Sequence, residues 1–351
     1  SRTGEVVWEK TYGGVGRDYA YSVQQTADEG FIIAGYSLSF SGGGDADFLV
    51  IKLLSDGSVS WQKTFGGSEF DAARSIQQIS GGGYIVAGIT LSFDTGTNDI
   101  WVMKLGPQGD LVWEKGFGGN CAYEAYSVLE ATDGGYIVAG NVHSCELANR
   151  DVLILKFDTD GELLWRKNYG GSSSEYAHGI DHTADGGYIV AGRSRSFGDS
   201  TSNTDVWVLK LDANGSILWQ KTFGGNFFDR AYSVEQTTDG GYIVAGATQS
   251  FGAGSDDMWF IKLDSSGDIE WQKAYGGSDQ DIAYSIRQTG DDGYVVAGRS
   301  SSFMNEGDDG IVVLKLDNEG EIYLCDNMVS TNVSSINTSV TTGFDIFPQL
   351  Y

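Results

Sequence analysis

Few residues in this chain are equipped for chemistry. It has three histidines, His143, His178 and His182, and the last two stand four apart in a strand-like stretch that begins at Glu175. Positions four apart on an alternating strand share a face. Two imidazoles backed by a carboxylate would suit a metal site or acid–base work, so Glu175, His178 and His182 are the candidate catalytic set. The competing reading makes them polar residues lining a channel. A second group is acidic. Asp47, Asp99, Asp151, Asp205 and Asp257 open strand-like runs, with Asp309 one place early in a sixth. Asp18, Asp71, Asp229 and Asp281 recur before a small residue, where Tyr123 and Glu175 fill the other two places. Oxygen ligands meeting from two loops could hold calcium. The same carboxylates could cap loop N–H groups, and recurrence in every repeat favours capping. The Asp158-Thr-Asp160-Gly161 and Asp212-Ala-Asn214-Gly215 stretches imitate the start of a calcium loop but lie between strands, and read as turns. No glycine-rich loop leads into a helix, so no phosphate cradle is predicted.

These residues are positioned by a repeat. Trp-x-Lys-x-(Tyr/Phe)-Gly-Gly begins at Trp8, Trp61, Trp113, Trp165, Trp219 and Trp271, at intervals of 53, 52, 52, 54 and 52 residues. One supersecondary unit is therefore used six times. Residues 177–222 show its contents: strand A from Ala177 to Thr183, a tight Asp185-Gly186-Gly187 turn, and strand B from Tyr188 to Gly192. A polar loop leads to strand C, Asp205–Leu211, and an Asp212–Gly215 turn to strand D, Ile217–Lys221. Short β-rich runs between Gly, Asp and Asn turns are hairpin-connected strands. Four-stranded antiparallel units at this period predict an all-β, six-bladed β-propeller over residues 1–325. Six A-B-C triplets follow a lone D segment, so Glu5–Tyr12 is expected to complete the sixth blade and close the ring. Residues 326–351 are rich in Ser and Thr and read as a tail or linker.

The bulk composition narrows the function classes. A net charge of −26 disfavours nucleic acid and anionic membrane surfaces as partners. All twelve lysines sit in phase, six in the heptad and six at Lys52, Lys104, Lys156, Lys210, Lys262 and Lys315. A lysine repeated twice per unit is a strand residue expected to meet an acidic neighbour. No long apolar run predicts membrane insertion, and the opening at Ser1-Arg2-Thr3-Gly4, partway through a repeat, suggests a trimmed chain. Asn214, Asn332 and Asn337 stand in glycosylation sequons.

The B–C loops of five units begin with Ser-Phe, at Phe40, Phe93, Phe197, Phe251 and Phe303. A ring of exposed aromatics could stack on sugars. In the third unit that place belongs to Cys145, and Cys121 lies in the D–A loop of the same blade. A Cys121–Cys145 disulfide is therefore expected. It would replace the phenylalanine's contact, which makes Phe a loop anchor, and it implies an oxidising compartment.

The heptad, the Asp-Gly-Gly-Tyr-Ile-Val-Ala-Gly core (133–140, 185–192, 239–246) and the Lys-Leu-Asp-x-x-Gly-x-x-x-Trp passage (262–271) together resemble a repeat of secreted and cell-surface proteins of archaea and Bacteroidetes. The resemblance covers about residues 5–320. It implies an extracellular or cell-surface propeller and brings no activity with it. The Gly-x-x-x-Trp spacing is partly similar to the tryptophan-docking motif of quinoprotein propellers, with an Asp-to-Gly gap one residue shorter. Gly343-Phe-Asp-Ile-Phe-Pro348 resembles the opening of a type IX sorting domain, departing from it at Gln349-Leu350.

The expected function is thus a non-catalytic binding or adhesion module that recognises a glycan or a surface protein through the D–A/B–C loop face, without a cofactor unless calcium is one. Its specificity would lie where the units differ: Arg17, Tyr19, Phe70, Tyr123, Tyr176, Phe227, Phe228 and Gln280, with Arg193 and Arg195 adding cations suited to a carboxylated sugar. The alternatives are a polysaccharide hydrolase or lyase using the histidines, and a structural subunit that self-assembles through its tail.

Overall fold

The structure of the chain, a computed structural model, describes residues 6–42, 44–93, 97–143, 149–198, 203–303 and 309–322, and the backbone of 334–336. The chain divides into two compact units, Ser1–Asn168 and Tyr169–Tyr351. The first holds three sheets: β1 (Asp18–Gln25), β2 (Phe31–Ser37), β3 (Asp47–Leu53) and β4 (Val59–Phe65); β5 (Asp71–Gln78), β6 (Tyr84–Thr90), β7 (Asp99–Leu105) and β8 (Leu111–Phe117); β9 (Tyr123–Glu130), β10 (Tyr136–His143), β11 (Arg150–Phe157) and β12 (Leu163–Tyr169). The second holds β13 (Glu175–His182), β14 (Tyr188–Ser194), β15 (Asp205–Leu211) and β16 (Ile217–Phe223); β17 (Asp229–Gln236), β18 (Tyr242–Thr248), β19 (Asp257–Leu263) and β20 (Ile269–Gly276); and β21 (Asp281–Gln288), β22 (Tyr294–Ser300) and β23 (Gly310–Leu316). Within each sheet the strands are antiparallel and follow chain order. These sheets are the blades of a six-bladed β-propeller, and the described residues form no helix.

Two departures concern the ends. Among the described residues the sheet β21–β23 has three strands, and residues 6–12 form no ladder, so the fourth strand expected from Glu5–Tyr12 is not seen there. Ile311 and Val313 of β23 are 84% and 57% exposed. The segment's side chains nevertheless dock as those of a D strand. Trp8 Nε1 donates to the Ser55 carbonyl at 3.1 Å and the Tyr12 hydroxyl to the Gly57 carbonyl at 2.6 Å. Docking by side chains on the next turn does not require a ladder. The second departure is a strand in the tail, β24 (Ser334–Ile336), which pairs with Ala274–Gly276 at the end of β20. Its brevity hid it from sequence reading; the open edge of β20 supplies the unpaired backbone groups it needs.

The repeat is held by two devices. Trp8, Trp61, Trp113, Trp219 and Trp271 each lie over the glycine of the next C–D turn: a Cβ on Gly57 would come within 3.0 Å of Trp8, and one on Gly267 within 2.9 Å of Trp219. Both glycines have φ near +75 to +79°, so only glycine fits the turn and leaves room for the indole. The second device is the C-strand lysine. Lys52, Lys156, Lys210 and Lys262, buried along their stems, pair with Asp28, Asp133, Asp185 and Asp239 of the A–B turns at 2.6–2.9 Å. Lys104 faces a turn without aspartate and donates to the Thr159 carbonyl instead. An acidic neighbour of the kind expected for the lysines also meets Lys115, Lys221, Lys273 and Lys315.

Candidate functional site

Every A strand carries a β-bulge just after its small alanine. Register slips fall at Ala20/Ser22, Ala73/Ser75, Ala177/Gly179, Ala231/Ser233 and Ala283/Ser285, and at the matching place of β9. The residue left outside the ladder is Tyr21, Arg74, Tyr126, His178, Tyr232 or Tyr284. A bulge re-aims one side chain away from the strand's alternation, a common device beside binding sites. Small alanine before it and serine or glycine after it keep the kink uncrowded, while the bulge residue itself is large and differs between units.

In the first unit these residues join an aromatic cluster. Tyr36 stacks on Tyr19 at 4.8 Å, touches Tyr21 at 5.8 Å and meets Phe70 edge-on at 5.2 Å. The Arg74 guanidinium lies 4.2 Å from the centre of the Tyr21 ring. Beyond it, Glu124 accepts from the Tyr126 hydroxyl at 2.7 Å and pairs with Arg150 at 3.3 Å.

The second unit repeats the theme with more charge. Tyr176, His178, Tyr232 and Tyr284 form a run of rings with successive centroids 6.2, 5.1 and 5.0 Å apart. Arg193 lies 4.2 Å over Tyr176 and Arg230 5.9 Å from the Tyr232 centroid. Asp256 holds Arg230 at 2.7 Å and accepts from Gln280 and Gln249. Arg299, at the Arg193 position of its own sheet, pairs with Asp309 at 2.8 Å. Such a surface can stack on the C–H faces of a sugar or on apolar side chains, and can offer planar guanidinium groups to acids.

The expected catalytic set has three separate sets of partners. Glu175 is fully buried and does the work of the A-strand aspartates: it accepts from Gly171 N at 2.8 Å, Ser194 Oγ at 2.9 Å and Ser196 N at 3.0 Å. His178 sits among rings, and burial, with Arg193 and Arg230 adding, lowers its pKa to about 3. It is neutral at ordinary pH. His182 is half exposed, and the neighbouring Asp181 carboxylate, 3.2 Å away, raises its pKa. His178 is itself the bulge residue, so it is re-aimed out of the alternation on which a face shared with His182 depends. Among the described residues no group of three or more His, Cys, Asp or Glu is placed to hold a metal ion.

The other candidates divide. Tyr19 and Phe70 come together through Tyr36, while Tyr176, Arg193 and Gln280 belong to the second cluster. Tyr123 is buried in the core, its ring facing Arg166 at 5.1 Å. Arg17 and Arg195 are exposed, and so are Phe227 and Phe228, at 58% and 38%. Phe93, Phe197 and Phe251 pack on Trp101, Trp207 and Trp259 at 5.0–5.5 Å, as loop anchors do. Cys121 packs against the core of its blade, and Cys145 lies outside the described residues.

Pairs of these acidic residues meet at a glycine. A Cβ on Gly66 would lie 2.1 Å from Asp47 Oδ1 and 2.8 Å from Asp71 Oδ2; Gly224 stands in the same way to Asp205 and Asp229, and Gly276 to Asp257 and Asp281. The A-strand carboxylates are bonded by the second heptad glycine and a B–C loop hydroxyl, as Asp229 is by Gly225 N at 3.0 Å and Ser250 Oγ at 2.6 Å. Some oxygens of both strands are left over: Asp47 Oδ1 and Asp257 Oδ1 of the C strands, and Asp71 Oδ1 of an A strand, are buried without a hydrogen-bond partner. Asp99 accepts from Gly119 N at 3.3 Å, and Asp151 lies within β11.

The bulge residues were overlooked in the sequence because their identities vary. Their signal was Ala-(Tyr/Arg/His)-(Ser/Gly) centred three residues after the A-strand acid, or after Tyr123 in the third unit, a fixed frame around a changing centre.

No family model matches the chain. "Regulatory protein FlaEY" of Caulobacter vibrioides is 29% identical over 111 residues, which span 28% of this chain and 12% of that protein. Among solved structures, Sqt1 from Chaetomium thermophilum is similar with a TM-score of 0.50 and 12% identity, over 87% of this chain and 70% of that one. Sqt1 bound to the N-terminus of a ribosomal protein is similar with a TM-score of 0.50 and 11% identity, over 87% and 73%. At such identities the likeness establishes a propeller fold and leaves the function to the site.

Proposed function

We propose that the chain is a non-catalytic binding module, extracellular or on a cell surface, that recognises a glycan or a protein through the bulge clusters. One observation carries the reading. Side chains that differ between repeats gather as rings and guanidinium groups, while the acids and lysines common to the repeats are tied into loops and turns. Binding energy concentrates in such Tyr and Arg surfaces. The proposed location rests on the repeat's resemblance to surface proteins and on the expectation of a Cys121–Cys145 bridge, which two free thiols in the oxidised, purified chain would remove. Calcium would be a structural addition at the paired aspartates and has no part in this recognition.

The test is a glycan array run with the wild type and with a variant carrying Tyr176→Ala, Tyr232→Ala and Tyr284→Ala. The variant should lose binding by about 100-fold or more, as loss of several stacking contacts implies. Undiminished binding would move the site to the loops. A clean negative with the wild type would leave protein as the partner class.

A further inference from the structure

The cluster of the second unit holds a charge that the scaffold does not balance. Arg230 and Arg299 each have a carboxylate partner, Asp256 at 2.7 Å and Asp309 at 2.8 Å. Arg193 has none among the described residues, in a chain whose net charge is −26. It is half-buried, its plane rests 4.2 Å over Tyr176, and its Nε is buried without an acceptor. The Nε atoms of Arg230 and Arg299 are also unaccepted, but their terminal nitrogens are paired. A buried, unaccepted donor on a cation needs an explanation, and a stacked guanidinium is oriented to meet a carboxylate with two parallel bonds. The neighbouring His178 supplies no anion; Tyr176 and Tyr232 supply ring faces beside it, and Tyr284 extends the run beyond Tyr232.

We propose that Arg193 is the carboxylate-recognising residue of a subsite for an acidic sugar, a uronic-acid unit whose ring stacks on the Tyr176–Tyr232 surface. The assignment rests on the glycan form of the proposed function and adds the charge and the residue. A sugar acid fits better than an acidic peptide because the one unpaired cation of the cluster stacks on Tyr176, the end of a run of rings that continues through His178 to Tyr232 and Tyr284. A run of acidic residues would need several such cations, and Arg230 and Arg299 are already engaged.

The measurement is affinity, by calorimetry, for oligogalacturonate, hyaluronate and alginate oligosaccharides and for their methyl esters. The wild type should bind at least one acid form about ten-fold or more tighter than its ester, the discrimination expected of one charge-assisted bidentate pair. Arg193→Gln should abolish that preference while keeping the ester's affinity, and Tyr232→Ala should weaken both forms alike. An unchanged melting temperature shows that Arg193→Gln still folds. Equal binding of acid and ester by the wild type would overturn the carboxylate subsite and leave glycan binding standing. Binding of polyglutamate but no saccharide would overturn the sugar assignment, and binding of none of these probes would overturn both.

Discussion

Replacing Trp219 with alanine should destabilise the second unit by about 3 kcal/mol, the range for truncating a large aromatic that is packed on one side. Trp219 packs against the core of its unit, meets Tyr242 edge-on at 5.7 Å and covers the Gly267 turn. Gly267→Ala attacks the same lock from the other side. Its Cβ would enter the indole's space at 2.9 Å, on a backbone with φ of +79°. Together the two changes should cost less than the sum of the single costs, because each removes what the other would remove. Urea denaturation of the two single variants and the double variant measures this. Additive losses, or a Trp219→Ala cost below about 1 kcal/mol, would mean that the repeated tryptophan is not what joins one repeat to the next.

The second large effect has the opposite sign. Asp257→Asn should stabilise the protein at pH 7 by roughly 1–3 kcal/mol, given a one- to two-unit rise of a buried carboxyl. Burial, with Asp281 and Asp256 adding, pushes Asp257 up to about 6, and its Oδ1 has no partner. A carboxyl whose folded pKa exceeds its unfolded value makes the native state bind more protons between about pH 4 and 6. Its contribution therefore favours folding at low pH and is lost as pH rises through about 6. Asparagine keeps the acceptor for Ala253 N, bonded at 2.9 Å, and replaces the orphaned oxygen with a donor facing Asp281. The gain should accordingly shrink toward pH 4. Thermal melts across pH, with and without calcium, follow it. If calcium raises the wild-type melting temperature and Asp257→Asn lowers it, the oxygen pair is a cation site rather than a protonation site.

The parts of the fold that every repeat needs were written plainly in the sequence. The Trp-x-Lys-x-aromatic-Gly-Gly phase marks the indole–glycine lock, the C-strand lysines Lys52, Lys156, Lys210, Lys262 and Lys315 mark ion pairs to the A–B turns, and Asp205–Leu211 is the third strand of its sheet residue for residue. Contacts reused from repeat to repeat leave repeated copies of the same letters. The site was less legible for the same reason. Tyr176 and Arg193 were visible as departures from the repeat, but Tyr21, Arg74, Tyr126, Tyr232 and Tyr284 were not, because a bulge has no periodic signature and its residue is free to vary. The bulge also misled the histidine reading, since a four-residue spacing implies one face only on an uninterrupted strand. Glu175 looked like a catalytic acid because it is a glutamate among aspartates; in place it accepts the same loop bonds as they do, with one more methylene of reach. At the chain's ends, side-chain docking of Trp8 and the three-residue β24 both fall below what pattern can register.

The central claim is recognition without turnover. Its most direct test is to incubate the glycan that binds best with stoichiometric wild-type protein and, separately, with the His178→Ala, His182→Ala double variant, and to analyse the saccharide by chromatography. The account predicts that both proteins return the glycan at its original length with its ends unchanged, whatever affinity the double variant keeps, since His178 belongs to the proposed binding run of rings. Shortened or unsaturated products from the wild type that disappear with the double variant would contradict it.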